Sequence, residues 1–203
     1  MPVKEVTLEN AISHMAGHIE KGNLCLMREP HGGNDAGTRL SRLTITNTMA
    51  KGILFLEVPY DMNRDGEMTP AIQAWEKGPG GTGDSCLSSV AKTAEGKGWK
   101  TVGIDSKVGG SKEFHTDGGT GGKDRQEMMA VYIYQYFKKS QLGAICPIGT
   151  QHMKGTNYNG GYESLARILT QKAPMNRDTY IIGEKIRYQI VKRDDIKYCP
   201  SLS

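Results

Sequence analysis

The chain has no stretch approaching the roughly 18 apolar residues that a bilayer-spanning helix needs, which sets aside an integral helical membrane protein. Its first residues, MPVKEVTLENAISHMAGHIEKG, lack the unbroken apolar core of a secretory signal. No Cys-x-x-Cys pair occurs either. Cys25, Cys86, Cys146 and Cys199 stand far apart, which removes a zinc signature and a compact disulfide framework. These absences predict a soluble, unsecreted protein of a reducing interior: cytoplasmic, or within a virion if the source is viral. Blocks of like charge are missing too. The formal net charge of +4 comes from Lys and Arg scattered among Asp and Glu, which permits contact with nucleic acid or another acidic surface without demanding it.

What the chain has in excess is glycine. Its 26 glycines cluster in HGGNDAG, KGPGGTG, KVGGSKEFHTDGGTGG and KGTNYNGG, and so predict long loops between regular elements. Loops of this kind carry an entropic cost that a ligand or a neighbouring subunit would offset. With 203 residues, 37% of them hydrophobic, the sequence suits one globular domain over 1–203.

Apolar residues at Leu8, Ile12, Met15 and Ile19 predict an amphipathic helix that stops near Gly22. NLCLM and RLTITN read as short strands, and GILFLEV reads as a buried one. A loop, PYDMNRDGEM, feeds a short helix from Thr69 to Trp75. SCLSSVAKTAE then reads as a helix and KTVGID as a strand. Asp124 to Ser140 is the clearest helix, with Asp124 and Glu127 spaced as in a capping box. A strand at LGAICPI, a helix at YESLARILT and a hairpin of TYII with KIRYQIV around Gly183 complete the chain. Alternating helices and strands favour an α/β class over α+β, with a mixed sheet, three or four helices and long Gly-rich loops.

EKGPGGTGDSCLSS is one residue short of a phosphate-binding P-loop. Gly80, Gly81, Gly83 and Ser85 would supply the backbone cradle and the hydroxyl that such a loop uses at a helix N-terminus. With the text that follows it, SCLSSVAKTAEGKGWKTVGIDSKVGGS, the region from 78 to 110 resembles the deviant-Walker ATPases, the group of partition ATPases and the nitrogenase iron protein. That resemblance implies a nucleotide site. The family's two lysines are replaced, the signature one by Pro79 and the catalytic one by Asp84. A unit charge about 4 Å from a phosphate is worth about 4 kcal/mol at an effective dielectric near 20, and an aspartate reverses its sign. ATP hydrolysis through this loop is thereby disfavoured. Anion binding stays open, as does a glycine turn with Asp84 or Ser85 capping the next helix.

Other constellations carry two readings each. Asp61, Asn63 and Asp65, with Gly66 and Thr69, follow the ligand spacing of a calcium loop, but Ile72 stands where the bidentate Glu belongs; a polar turn explains the same letters. Cys86 near a helix start has the setting of an activated thiol, with His115 as its base. Papain-like hydrolases and glutamine-deamidating bacterial toxins use such a pair, while a small core residue is the plain alternative. His14 and His18, one turn apart, could share a metal with His31 or Glu20, or simply border the apolar stripe. Lys185, Arg187, Tyr188, Lys192 and Arg193 form a basic C-terminal strand suited to a phosphate backbone, and equally to an amphipathic strand with one solvated face.

The sequence therefore points first to a non-hydrolytic binding protein for a phosphate-bearing ligand, a nucleotide or nucleic acid, with no cofactor identified. The alternatives are a viral or phage assembly protein forming a homo-oligomer, and a Cys–His hydrolase or deamidase.

Overall fold

The computed structural model describes residues 4–29, 36–78, 86–105, 123–149, 152, 165, 168–169, 179–184 and 188–192. Seven strands join one sheet: β1 (Lys4–Val6), β2 (Leu24–Glu29), β3 (Gly52–Pro59), β4 (Lys100–Asp105), β5 (Gly143–Gly149), β6 (Thr179–Glu184) and β7 (Tyr188–Lys192). Their order across the sheet is β1-β7-β6-β2-β5-β3-β4. From β6 to β4 every neighbour is parallel, while β7 runs antiparallel to β6 and β1 antiparallel to β7. Five helices are described: α1 (Leu8–Glu20), α2 (Ala36–Asn47), α3 (Thr69–Lys77), α4 (Cys86–Gly96) and α5 (Lys123–Lys139). The α/β class expected from the sequence is what the chain adopts, with more than the three or four helices anticipated.

The parallel strands are apolar along their length because helices cover both faces. On one face, Leu24, Leu26, Phe55, Val102, Ala144 and Cys146 pack against Met129, Ile133 and Phe137 of α5. The helical residues Leu165, Ile168 and Leu169 join that layer. On the other, Cys25, Met27, Leu54, Leu56 and Ile145 meet Met15 and Ile19 of α1, Leu40 and Ile45 of α2, Met68 and Ile72 near α3, and Val90 and Ala94 of α4.

Local chemistry sets the boundaries. Thr7 caps α1 by accepting from the Asn10 amide at 3.3 Å, and Gly22, at φ 79°, ends the turn beyond it. Gly143, where β5 starts, lies so close to α1 that a Cβ would fall on the Ile19 backbone. RLTITN is helical rather than the strand its β-branched residues suggest. Leu40, Ser41, Thr44 and Ile45 all turn toward the sheet, and the hydroxyls of Ser41 and Thr46 donate to carbonyls one turn back, Gly37 at 2.7 Å and Arg42 at 2.8 Å. Burial of one helical face overrides the propensity, and the back-bonds satisfy the hydroxyls within the helix.

Three helix N-termini are held by glutamates from elsewhere in the chain. Glu29, ending β2, accepts from Thr38 N in α2 at 2.6 Å. Glu95 accepts from Met68 N at 2.7 Å and from the Thr69 hydroxyl at 2.6 Å, where α3 begins. Glu76, buried in α3, accepts from Leu87 N and Ser88 N of α4 at 2.9 and 3.2 Å.

Candidate active site

In an open parallel sheet, ligands bind beyond the carboxyl ends of the strands, where the chain leaves two neighbours in opposite directions. Here that switch lies between β3 and β5: the chain moves from β3 out to β4, and from β5 back across β2 to β6. A polar cluster occupies the spot. Glu57 interrupts the apolar run ILFLEVP near the end of β3, and Asp105 is the last residue of β4. Arg125 and Gln126 stand in the first turns of α5, and His152 follows β5 by three residues.

Arg125 grips Asp105 with both ends of its fork, Nε to Oδ1 at 2.7 Å and Nη2 to Oδ2 at 2.6 Å, and Nη2 also donates to Glu57 Oε1 at 3.1 Å. The same Glu57 oxygen lies 2.8 Å from His152 Nε2, while Glu57 Oε2 accepts from Gly149 N at 3.0 Å. His152 Nδ1 lies 2.6 Å from Gln126 Nε2. His152 is only 4% exposed in its side chain; Glu57, Asp105 and Arg125 keep a rim of 15, 14 and 12%. Arg125 Nη1 has no partner among the described residues.

Burial alone would raise the Glu57 carboxyl. The charge and hydrogen bond of His152, then Arg125 and the Gly149 amide, outweigh it and bring the carboxyl down to about 2. Glu57 is therefore an acceptor at neutral pH. Burial works against the Arg125 charge, but Asp105 and then Glu57 more than compensate, so the guanidinium is held above its ordinary range. Burial pushes the thiols in the strands beneath upward, Cys25 to about 12 and Cys146 further, with Glu57 adding to the latter. Neither is a nucleophile at neutral pH.

What the arrangement offers is acid–base chemistry beside a fixed cation. An ionised carboxylate held by an imidazole N–H, and itself partly exposed, can accept and return a proton. A guanidinium locked by a bidentate carboxylate, with one nitrogen to spare, can meet a developing negative charge without reorganising.

No protein-family model matches the chain, and no curated protein does. The architecture itself has counterparts among solved structures. Two structures described as bacterial protein toxins superpose with TM-scores of 0.53 and 0.50 at 11 and 12% identity, over 91 and 92% of this chain. A third is RRSP, a MARTX toxin effector domain from Vibrio vulnificus CMCP6, with a TM-score of 0.52 and 14% identity over 97% of this chain. The fold is shared with bacterial toxins. The matched region is 40, 38 and 43% of those three chains, so this chain spans about two fifths of each toxin structure.

The residues singled out from the sequence lie elsewhere or outside the described parts of this toxin-like fold. Gly80, Gly81, Gly83, Asp84 and Ser85 fall outside the described residues, and so does His115. The loop that holds the glycines joins two helices, α3 and α4, and the α4 amides of Leu87 and Ser88 are taken by Glu76. Cys86 is the half-buried first residue of α4. Asp61 and Asp65 are exposed, whereas both polar atoms of the Asn63 amide pair with the Gly103 backbone, at 2.6 and 2.9 Å, along the outer edge of β4. No group of three or more His, Cys, Asp or Glu that could hold a metal occurs among the described residues. His14 and His18 stack with ring centroids 6.3 Å apart, and His31 is outside the described residues. Tyr188 and Lys192 belong to β7, an interior strand between β6 and β1; Lys185, Arg187 and Arg193 are outside the described residues. Among the described residues no helix is long and apolar enough to cross a membrane.

Sequence reasoning missed Glu57, Asp105, Arg125, Gln126 and His152 as a group. A signal was present: a charge breaking the apolar run of β3, an aspartate ending β4, and a histidine just past β5, all at strand ends.

Proposed function

We propose that the protein is a hydrolase of the bacterial toxin effector type, working through the polar cluster between β3 and β5. The observation that carries this reading is the 2.8 Å bond between His152 Nε2 and the ionised Glu57, at the switch point of the sheet. His152 Nε2–H orients Glu57, whose partly exposed carboxylate takes up and returns the proton that hydrolysis moves off water, and Arg125 Nη1 meets the oxyanion. The toxin likeness of the fold supports an enzyme acting on a host molecule. It supports the hydrolase class weighed from the sequence, with the machinery moved from Cys86 and His115 to Glu57 and His152.

A phosphate-bearing ligand draws less support. Glu76 already accepts from the Leu87 and Ser88 amides of α4, two of the donors that a phosphate at that helix start would use.

Incubating the protein with host-cell extract in ¹⁸O-labelled water tests the proposal without knowing the substrate. Hydrolysis places ¹⁸O in one product, so mass spectrometry should find labelled species made by the wild type and lost with Glu57→Gln or His152→Gln. Equal labelling by wild type and both variants, or none by the wild type, would overturn it.

A further inference from the structure

Gln126 is fully buried on α5, directly behind His152. Its amide nitrogen faces His152 Nδ1 at 2.6 Å, and its Oε1 is buried with no partner among the described residues. Leaving a buried amide oxygen unmade costs about 1–3 kcal/mol, so a side chain that keeps one needs a reason. The ring it touches supplies one. Ionised Glu57 can only accept, so Nε2 of His152 carries a hydrogen, and in the neutral ring Nδ1 is a bare lone pair that accepts from the Gln126 NH₂. If His152 gains a second proton, N–H groups point out on both sides. The Gln126 nitrogen then faces a donor, and only an oxygen satisfies it.

We infer that Gln126 is the positioning residue for His152: it fixes the neutral ring as the Nε2–H tautomer, and turns its amide end for end to accept from Nδ1–H when the ring is charged. The unpartnered oxygen is the acceptor held in reserve. Rotation of a terminal amide through 180° exchanges N and O in nearly the same volume, so a packed interior tolerates it. The other groups around the ring do not compete for Nδ1. Glu57 from β3 holds Nε2, Arg125 from α5 is tied to Asp105 of β4 and to Glu57, and Cys146 of β5 is a buried thiol. The inference rests on the hydrolase reading for its purpose, but the ring's hydrogen bonding is observable without any substrate.

Long-range ¹H–¹⁵N spectra of the His152 ring across a pH series provide the test. In the wild type the neutral ring should show the Nε2–H pattern alone; an Nδ1–H neutral tautomer, or an even mixture, would overturn the inference. Gln126→Glu supplies a permanent acceptor and should hold the ring doubly protonated at least tenfold more strongly. Gln126→Met, which offers no donor, should let the neutral tautomers mix. Titration and tautomer unchanged in either folded variant would also overturn it. Because the wild-type spectrum alone is decisive, a variant that fails to fold does not shield the idea. Failure of the ¹⁸O experiment with these spectra as expected would remove the hydrolase and leave the positioning role standing; the reverse pairing would do the opposite.

Discussion

Glu57 is where burial, charge and backbone meet. In the unfolded chain its carboxyl takes a proton near 4.5, and in the native state only near 2. The native state therefore gains from the ionised form at all pH values above about 5, and loses that gain as pH falls toward 2. The difference corresponds to about 3 kcal/mol. Urea unfolding from pH 7 to pH 2.5 should show this acid loss in the wild type. Glu57→Gln should start about 2–3 kcal/mol less stable at pH 7 and lose correspondingly less on acidification. An acid limb of the same depth in the variant would place the loss in other carboxylates. At this scale the sequence was only partly legible. Glu57 could be seen to break an apolar strand, but nothing in ILFLEVP says that a histidine 95 positions later will bond to it. His115 and Cys86 drew attention because they sit in conspicuous local settings; His152 sits in none.

Individual elements were more legible, since they are decided by periodicity and burial within a few residues. The stripe Leu8, Ile12, Met15, Ile19 gave α1, and GILFLEV gave β3, because each pattern answers to one layer of packing. The strand expected at RLTITN fails for a reason visible only in three dimensions: Thr44 and Ile45 are completely buried as part of a helical face. Asp84 and Ser85, the cap residues sought next door, lie outside the described residues, and a carboxylate the sequence did not point to, Glu76 of the preceding helix, sits on α4. Removing it tests that assignment. Glu76→Ala should cost about 1–2 kcal/mol, the range for a lost N-terminal cap, and lower Tm accordingly. No change in Tm would mean that α4 draws its stability elsewhere.

Over the whole molecule, the decisive feature is strand order. Alternating helices and strands announced α/β, but the sequence carries no mark that β5 inserts between β2 and β3, and it is this insertion that creates the switch point. β2 and β3 are never paired directly; each finds its partner in β5. A fragment ending at Leu142 should therefore lose more than its C-terminal segment. Its far-UV circular dichroism should melt without a cooperative transition, since β2 and β3 would each present an unpaired edge. A sharp transition in the fragment would show β2 and β3 closing on each other instead. The same topology has a consequence for biosynthesis. Translation passes the end of β3 at Pro59 and reaches the end of β5 only at Gly149. At a polymerisation rate of about 5–20 residues per second, that gap lasts roughly 5 to 20 seconds. Throughout it the ribosome carries the carboxylate without its histidine, and no Glu57–His152 pair exists until the nascent chain has closed its own sheet.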